Sequence, residues 1–570
     1  MRRLIGTFIF LIVSQAHFGQ SLVEIPPVQA EGLPIQLVEI YVIEDGVTRI
    51  LKEKEYEDFI DYFHLKNKGP FHPLDYKQTK KLMLAREEVV GATYKTFNDA
   101  FYGPLTIRWY ITVGTGDEGT KTKGLMASGD WKELPLLYED EQSELTFIFN
   151  GGLGAFLDNN GFFGEGAAFT QGNPIADKPA DFGATYWTEA YLEPGVGGIS
   201  ELGSTDIYVY GALSAMFTTR IGNDLFSSGS TVFADFERAY AGILVPRLGK
   251  NNIGKLDISV GRNFFQLNDG FLFSKFAGSA NAGDRGSVYL NARTAFQKTA
   301  LATYTSNKWT IRGFFVEPQE LFRESQTNTN YTGATIGYND SKNFDLNLTV
   351  LQRTNGLGQY RLPNGESISK KGLWVINPKV WVNNILNEGL FLKSEFAYET
   401  KTGMRAYGWY AGGGIQRNDI KFKPSLYYRY AFMQGDDPTT STYERYDPLL
   451  SSGLGNWVQG INFRKIVGNG NIISHRIELK GSLSEKWQLA MDAFFLRGDE
   501  LNNLGGLAPI SNLTARDFGQ EYTLNLRYFI NRHFLLQTVF SHAVPQNAVT
   551  NNLPDSKPWQ TLQFSLFMFY

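Results

Sequence analysis

The chain closes on Thr561-Leu562-Gln563-Phe564-Ser565-Leu566-Phe567-Met568-Phe569-Tyr570. In an extended strand successive side chains point to opposite faces. Leu562, Phe564, Leu566, Met568 and Tyr570 therefore share one face, and Thr561, Gln563 and Ser565 the other. The same period returns upstream. Tyr522, Leu524, Leu526 and Tyr528 alternate with Thr523, Asn525 and Arg527, and Phe344, Leu346, Leu348 and Val350 with Asp345, Asn347 and Thr349. Ile420, Phe422, Leu426, Tyr428 and Tyr430 alternate with Lys421, Lys423, Ser425 and Arg429. One face of each segment meets something apolar, while the other is wet enough to hold Lys, Arg and Asp.

From about residue 144 onward the alternation recurs roughly every 10 to 15 residues, broken by Gly, Asn and Asp. A soluble sandwich alternates too, with its polar face outward and its apolar face on a shared core. Three features favour a sheet closed in lipid. The segments run about 9 to 13 residues, the length of a tilted bilayer crossing. Their apolar face is rich in Phe, Tyr, Trp and Leu. Short turns such as Ser484-Glu485-Lys486 and Asn531-Arg532 alternate with long Gly/Asn/Asp-rich loops, as periplasmic turns alternate with extracellular loops in outer-membrane barrels. The pattern predicts an all-β fold: a single antiparallel transmembrane β-barrel of about 18 strands over residues 121–570.

Composition agrees. The chain is 42% hydrophobic, 14% aromatic and carries 59 glycines, and its mean hydropathy is −0.24. A barrel hides its membrane signal in alternation, so average hydropathy stays low while aromatic girdles enrich Phe, Tyr and Trp. There is no cysteine, which excludes a lipidated N-terminal Cys. Stability without disulfides falls to a closed sheet with every strand edge paired.

The N-terminus reads differently. Arg2 and Arg3, the apolar run Leu4 to Val13 and the small residues after it predict a signal peptide over residues 1–20. That run is too short for a membrane-spanning helix, and cleavage after Ala16 or Gln20 stays open. Residues 21–120 are charged and helix-tolerant, with a short apolar stripe at Leu82, Met83, Leu84, Val89 and Val90. They predict a periplasmic extension, either a loosely ordered leader or a plug inside the barrel. Export, alternation and the terminal Phe569-Tyr570, which resembles the signal read by the outer-membrane assembly machinery, place the chain in the bacterial outer membrane. Lipid, that machinery and small solutes are the expected partners, with no nucleic acid and no cofactor.

Parity assigns Arg312, Lys379, Lys393, Lys421, Lys423, Arg429, Arg476, Lys480 and Arg527 to the lumen, with Asp257, Asp345, Glu395, Glu399, Glu478 and Asp492. Nine basic residues against six acidic ones is a slight excess. Rings of Arg and Lys favour anions; a charge-balanced, unselective wall fits the same count.

Gly435-Asp436-Asp437-Pro438 followed by Glu444-Arg445-Tyr446-Asp447-Pro448-Leu449-Leu450 resembles a loop motif of the alginate-export porin family. Val260-Gly261-Arg262, Asp269-Gly270 and Arg293-Thr294-Ala295-Phe296 resemble that family's strand-and-loop pattern. The resemblance spans roughly residues 144–570. It implies an 18-stranded porin whose arginine-rich constriction passes an anionic polysaccharide or another anionic or sugar-like solute by passive diffusion. Carried over residue by residue, it points to Arg262, Asp269, Arg293, Asp436, Asp437, Arg445 and Asp447. Arg262 has the lipid-facing parity of Leu256, Ile258 and Val260 unless Gly261 makes a bulge that turns it inward. Asp436 to Asp447 also fits ordinary turn chemistry or a loop calcium site.

Other classes remain open at this stage. Ser474-His475 and Ser541-His542 could suggest an enzyme, but sequence neighbours on a strand face opposite ways and cannot form a nucleophile–base pair. No His/Asp/Glu cluster has metal-ligand spacing. A non-conducting, capsule-anchoring barrel could stack surface sugars on Tyr360, Tyr443, Tyr446 and Trp457. A TonB-dependent receptor would need a globular plug, for which 120 residues are barely enough. Conductance separates a channel from a plugged binder.

Overall fold

In the computed structural model the described residues are 136–569, apart from 140–142, 171–182, 249–253, 275–284, 321–326, 452–456 and scattered single or paired positions, together with four short strands between Pro27 and Ile50. The expected signal peptide, most of the expected periplasmic extension and Tyr570 lie outside them. The wall begins with β1 (Ser143–Asn159), β2 (Ala184–Glu201), β3 (Tyr208–Ile221), β4 (Thr231–Leu248), β5 (Gly254–Arg262) and β6 (Lys298–Ser306). It continues through β7 (Trp309–Glu317), β8 (Asn330–Asn339), β9 (Phe344–Asn355), β10 (Trp374–Ile385), β11 (Leu390–Lys401) and β12 (Met404–Gln416). The last third is β13 (Ser425–Met433), β14 (Ile472–Ser482), β15 (Trp487–Arg497), β16 (Asp517–Phe529), β17 (Phe534–Pro545) and β18 (Trp559–Phe569).

Each strand pairs antiparallel with the next, and β18 pairs with β1 from Gln560↔Asn159 to Phe569↔Asn150, closing an eighteen-strand barrel. Closure leaves no wall strand with an unpaired edge. The turns 307–308, 340–343, 386–389, 483–486 and 530–533 lie at one end, with the start of β1 and the end of β18. The loops 160–183, 263–297, 356–373, 434–471 and 498–516 lie at the other; only 402–403 is as tight there as a turn.

The alternation places side chains as the sequence requires. Leu348, Val350, Tyr522 and Leu524 face outward and are exposed, while Thr349, Glu521 and Thr523 face inward and are buried. Outward aromatic pairs mark both rims: Trp309–Tyr338 at 5.2 Å and Trp487–Tyr528 at 4.5 Å near the turns, Trp409–Tyr430 at 5.3 Å and Tyr407–Phe432 at 5.5 Å nearer the loops. Such girdles sit at the two lipid–water interfaces.

Two expectations need correction. The first four strands have 17, 18, 14 and 18 residues, beyond the crossing length read from the pattern. β1 and β2 stay in unbroken register from Ser143↔Ser200 to Asn159↔Ala184, helped by close side-chain approach; a Cβ on Gly152 of β1 would collide with the Tyr191 ring of β2. Lys421 and Lys423 are not lumenal. Phe422 and Lys423 carry φ of 72° and 42°, and Pro424 lacks a backbone donor, so the chain turns and β13 begins only at Ser425. Both lysines are exposed at the turn end.

The loops hold the main surprise, because two of them fold into the barrel. Loop 263–297 packs Phe265 on Phe314 of β7 at 4.8 Å, Phe273 on Tyr331 of β8 at 4.9 Å and Phe271 on Tyr410 of β12 at 5.5 Å. Farther along, its Tyr289 packs on Trp187 of β2 at 4.9 Å and Phe156 of β1 at 5.6 Å. In a ring of eighteen, β1 and β2 face β10 and β11, so this loop crosses the lumen. Loop 434–471 leaves β13, sets Trp457 on Tyr410 at 4.4 Å and Phe271 at 4.9 Å, and reaches β16 and β18 with Ile461–Phe463. A bridge between Phe273 and Leu450 joins the two loops.

Buried backbone donors need acceptors, and wall carboxylates supply them. Glu189 of β2 accepts from the N–H groups of Tyr289 at 2.9 Å and Leu290 at 3.0 Å. Glu237 of β4 accepts from Thr294 at 2.6 Å and Ala295 at 2.9 Å. Glu399 of β11 accepts from Asp447 at 2.8 Å. Glu521 of β16 accepts from Ile461, from Asn462 at 3.1 Å and from Phe463 at 2.9 Å.

Candidate functional site

Toward the turn end from the crossing loops, strands β10 to β16 present a basic and aromatic wall. On β10, alternation turns Lys379 and Trp381 inward. Lys379 pairs with Asp345 of β9 at 2.7 Å and lies 3.9 Å from the centre of the Trp381 ring. Lys393 of β11 approaches the same ring at 4.3 Å. Two ammonium groups on one indole make a strong cation–π site. Trp381 donates its Nε1–H to the Tyr410 hydroxyl at 3.1 Å, and Tyr410 donates to Asp269 of loop 263–297 at 3.3 Å.

Arg429 of β13 lies at the centre of this wall. Its guanidinium sits 4.0 Å from the Trp457 ring centre, and it faces Arg476 directly across the β13–β14 pair. Arg476 is neutralised by Asp492 at 2.7 Å and by Glu478, which also takes Lys480 at 2.7 Å. Arg429 is not. It is 3% exposed, and its Nε and Nη2 are buried with no hydrogen-bond partner. Among the described residues neither Arg429 nor Lys393 has a carboxylate at ion-pair distance, whereas most cations around them do. Arg527 of β16 belongs to the same charged field as Glu478 and Asp492.

A second cluster occupies the opposite wall. Gly261, at φ 129°, turns the chain so that Arg262 reaches Asp235 of β4 at 3.0 Å. The expected bulge is absent, since the register runs unbroken through Val260↔Ala241, Gly261↔Tyr240 and Arg262↔Ala239; the side chain reaches Asp235 from the end of the strand. Arg293 joins it, 3.6 Å from both Asp235 and Glu237 and 2.8 Å from Gln319, over the Phe233 ring at 5.1 Å. Arg312 of β7 faces inward in the field of Asp257. Arg262, which also donates to Gln297 at 3.1 Å, and Arg293 hold loop 263–297 to the wall.

The loop motif is differently placed. Asp436 accepts from the Glu444 N–H at 2.9 Å and from Asn502 at 3.1 Å. Arg445 donates to the carbonyls of Leu504 at 2.6 Å and Gly470 at 3.2 Å. Asp447 takes Lys370 at 2.8 Å and the Tyr360 hydroxyl at 2.7 Å. Burial alone would raise the Asp447 carboxyl, but Lys370 and Tyr360 outweigh it and hold it at about 2. Asp437 is half-buried and accepts from the Thr439 N–H at 2.8 Å, closing a turn. Asp436, Arg445 and Asp447 thus tie loops 356–373, 434–471 and 498–516 together, while Asp437 and Lys423 do not line the lumen.

Sequence reading missed Trp381, Tyr410 and the carboxylates Glu189, Glu237 and Glu521. Glu521 shares the parity of Thr523 and was findable by extending β16 one residue. Glu237 sits where the β3–β4 register shifts between Ser214 and Ala215, which parity cannot anticipate. Tyr360, Tyr443, Tyr446 and Trp457 are 2%, 8%, 1% and 1% exposed, so their faces are not offered to the surface. Ser474 points inward and is buried, whereas His475 points outward and meets the Tyr428 hydroxyl at 2.8 Å.

No family model and no curated protein matches the chain, so the alginate-export resemblance rests on its short motifs. Among solved structures, Pseudomonas aeruginosa OccK5 (OpdH) is similar at 9% identity and a TM-score of 0.45, over 74% of this chain and 97% of that one. Pseudomonas aeruginosa OccD3 (OpdP) shares 10% identity at a TM-score of 0.40, over 74% and 90%. Salmonella typhi OmpF, in complex with daunomycin, shares 12% at 0.36, over 76% and 100%. Likeness this distant leaves function to the chain's own residues. The closed barrel with its apolar outer face and paired girdles is that of a bacterial outer-membrane protein.

Proposed function

We propose that the protein is a passive diffusion channel selective for anionic or sugar-like solutes, of the kind the alginate-export resemblance implies. The observation that carries this reading is Arg429: a lumenal guanidinium, stacked on an indole, with donors left over and no carboxylate of its own. A carboxylate or sulfate oxygen would complete it with charge-assisted hydrogen bonds, and Lys393 with Trp381 offers a second cation and a stacking face for a sugar ring. Of the carboxylates nearby, Glu478 and Asp492 are engaged with Arg476 and Lys480, and Asp269 takes the Tyr410 hydroxyl rather than either cation.

Reversal potential in a planar bilayer under a KCl gradient tests the reading. Anion preference is expected, reduced by glucuronate in the bath and moved toward cations by Arg429→Gln with Lys393→Gln. A folded barrel that selects cations, or whose preference ignores both substitutions, overturns it. The two loops crossing the lumen favour a second reading, a non-conducting surface polysaccharide-binding barrel. A barrel that never conducts in any condition would establish that one.

A further inference from the structure

Two loops cross the lumen, and a solute entering from the loop end meets both. Loop 263–297 is fastened by aromatic packing on β1, β2, β7, β8 and β12, by Glu189 and Glu237, and by Asn268 on Glu395 at 3.0 Å. Segment 457–467 of the other loop is held by apolar and polar contacts together: Phe463 packs on Phe163 at 5.2 Å, and Lys465 lies 4.8 Å from the Trp559 ring centre on β18. Glu521 receives its three consecutive N–H groups. Asn462 accepts from Thr561 at 2.6 Å and donates to the Trp559 carbonyl at 3.3 Å. Lys465 lies 3.7 Å from Asp158. Gly460, at φ 82°, and Gly468, with open space at its Cα, flank the attachment.

We propose that segment 457–467 is a gate over Arg429, latched to the far wall through Glu521 and opened by the anionic solute itself. The proposal rests on the reading of Arg429 as the selecting group. With the gate closed, Trp457 covers the guanidinium and leaves Nε and Nη2 without partners, a costly state for buried donors. A carboxylate arriving at Arg429 offers both donors a charged acceptor, which the indole face cannot. The solute therefore competes with Trp457 for one cation, and its binding favours the state in which the segment has swung away. The latch sets how much solute this takes, because its polar contacts can be exchanged for water once the segment moves.

The absence of cysteine allows a clean test. Asn462→Cys with Thr561→Cys, joined by a short bis-methanethiosulfonate cross-linker whose disulfides a reductant cleaves, ties the segment to β18. In planar bilayers with potassium glucuronate, the cross-linked barrel should lose the openings that the reduced barrel shows, and cleavage of the linker should restore them. Glu521→Gln, without any cross-link, should open at glucuronate concentrations at least tenfold lower than wild type. If the cross-linked barrel conducts as the reduced one does, the gate is overturned and the channel reading stands. If wild type, the reduced pair and Glu521→Gln all refuse to conduct although folded, the channel reading falls and the gate with it.

Discussion

Glutamine at position 521 gives the sharpest test of how the inserted loop is held. The carboxylate of Glu521 has two oxygens and four donors: the N–H groups of Ile461, Asn462 and Phe463, and the Ser541 hydroxyl at 2.7 Å. Glutamine keeps one acceptor oxygen and sets an NH2 group where the other stood. If the amide takes the place of Oε2, Phe463 loses its partner; if it takes the place of Oε1, Ile461 and Ser541 lose theirs. In either orientation at least one buried backbone N–H is orphaned and faces another donor. A hydrogen bond to a charged group contributes about 1.5–3 kcal/mol, and an orphaned donor costs a similar amount. A loss of about 3 kcal/mol corresponds to about a hundredfold rise in the undocked fraction. Arg464 and Lys465 follow the latch directly, and Lys465 is only 4% exposed in its side chain, so trypsin cuts there only when the segment undocks. When opening is fast relative to cleavage, the cutting rate tracks that fraction. Glu521→Gln should be cut about a hundredfold faster at these two sites in a barrel that still runs as folded on gels, and Glu478→Gln, remote from the latch, should not. Equal cutting of Glu521→Gln and wild type would refute the claim that this carboxylate holds the loop.

Three further outcomes follow from particular residues. Burial pushes the Lys465 ammonium down to about 8 despite the pull of Asp158, while in the undocked segment it regains the ordinary lysine value of about 10.4. Between those values the undocked state binds more protons, so docking should strengthen as pH rises from about 8 to about 10.4 and cutting at Arg464 should slow; Lys465→Met should abolish the trend. Asp447 is depressed to about 2, so its contribution is present above about 4 and fades as pH falls toward 2. Asp447→Asn should loosen hairpin Gln359–Ser369 by about 2 kcal/mol at neutral pH, seen as faster amide exchange there. Leu348 faces lipid near mid-strand, so Leu348→Arg should reduce barrel stability in vesicles by about 2–4 kcal/mol; an unchanged unfolding midpoint would contradict the assigned face.

The wall was legible because its physics is local. Period two, a lipid solvent and paired edges fix which side chains of β9, β16 and β18 face out, and all three strands follow their parity. Reading failed where the chain left the strand unannounced. Counting parity back through Pro424 carried Lys421 and Lys423 into a strand that had not begun, and Arg262 reaches Asp235 from the end of its strand, where parity no longer decides. The inserted loops left one signal that could have been used. Asn263-Phe264-Phe265 and Phe271-Leu272-Phe273 lie between strands, where an apolar run should not stay in water. Such a run must be covered, and here Phe265, Phe271 and Phe273 are covered by packing on inward side chains of β7, β12 and β8. Which wall it would cross to depends on contacts hundreds of residues away, such as Tyr289 with Trp187 and Phe271 with Tyr410, and no local rule supplies those.

Counting charges misled for a related reason. Nine cations against six anions suggested a nearly neutral pore, yet the side chains do not act as a pool. Glu399 and Glu521 answer backbone donors of loop 434–471, as Glu189 and Glu237 do for loop 263–297. Asp345, Glu478 and Asp492 each have a basic partner. Carboxylates are thus consumed by architecture, since a loop folded inside a barrel brings N–H groups that water would otherwise satisfy. Arginine and lysine have no such employment for backbone N–H groups. Inserting loops therefore biases a balanced wall toward positive charge wherever a cation is left without a carboxylate at ion-pair distance, as Lys393 and Arg429 are among the described residues. On the proposed reading, selectivity and occlusion come from the same loops, and a barrel so filled conducts only when segment 457–467 moves.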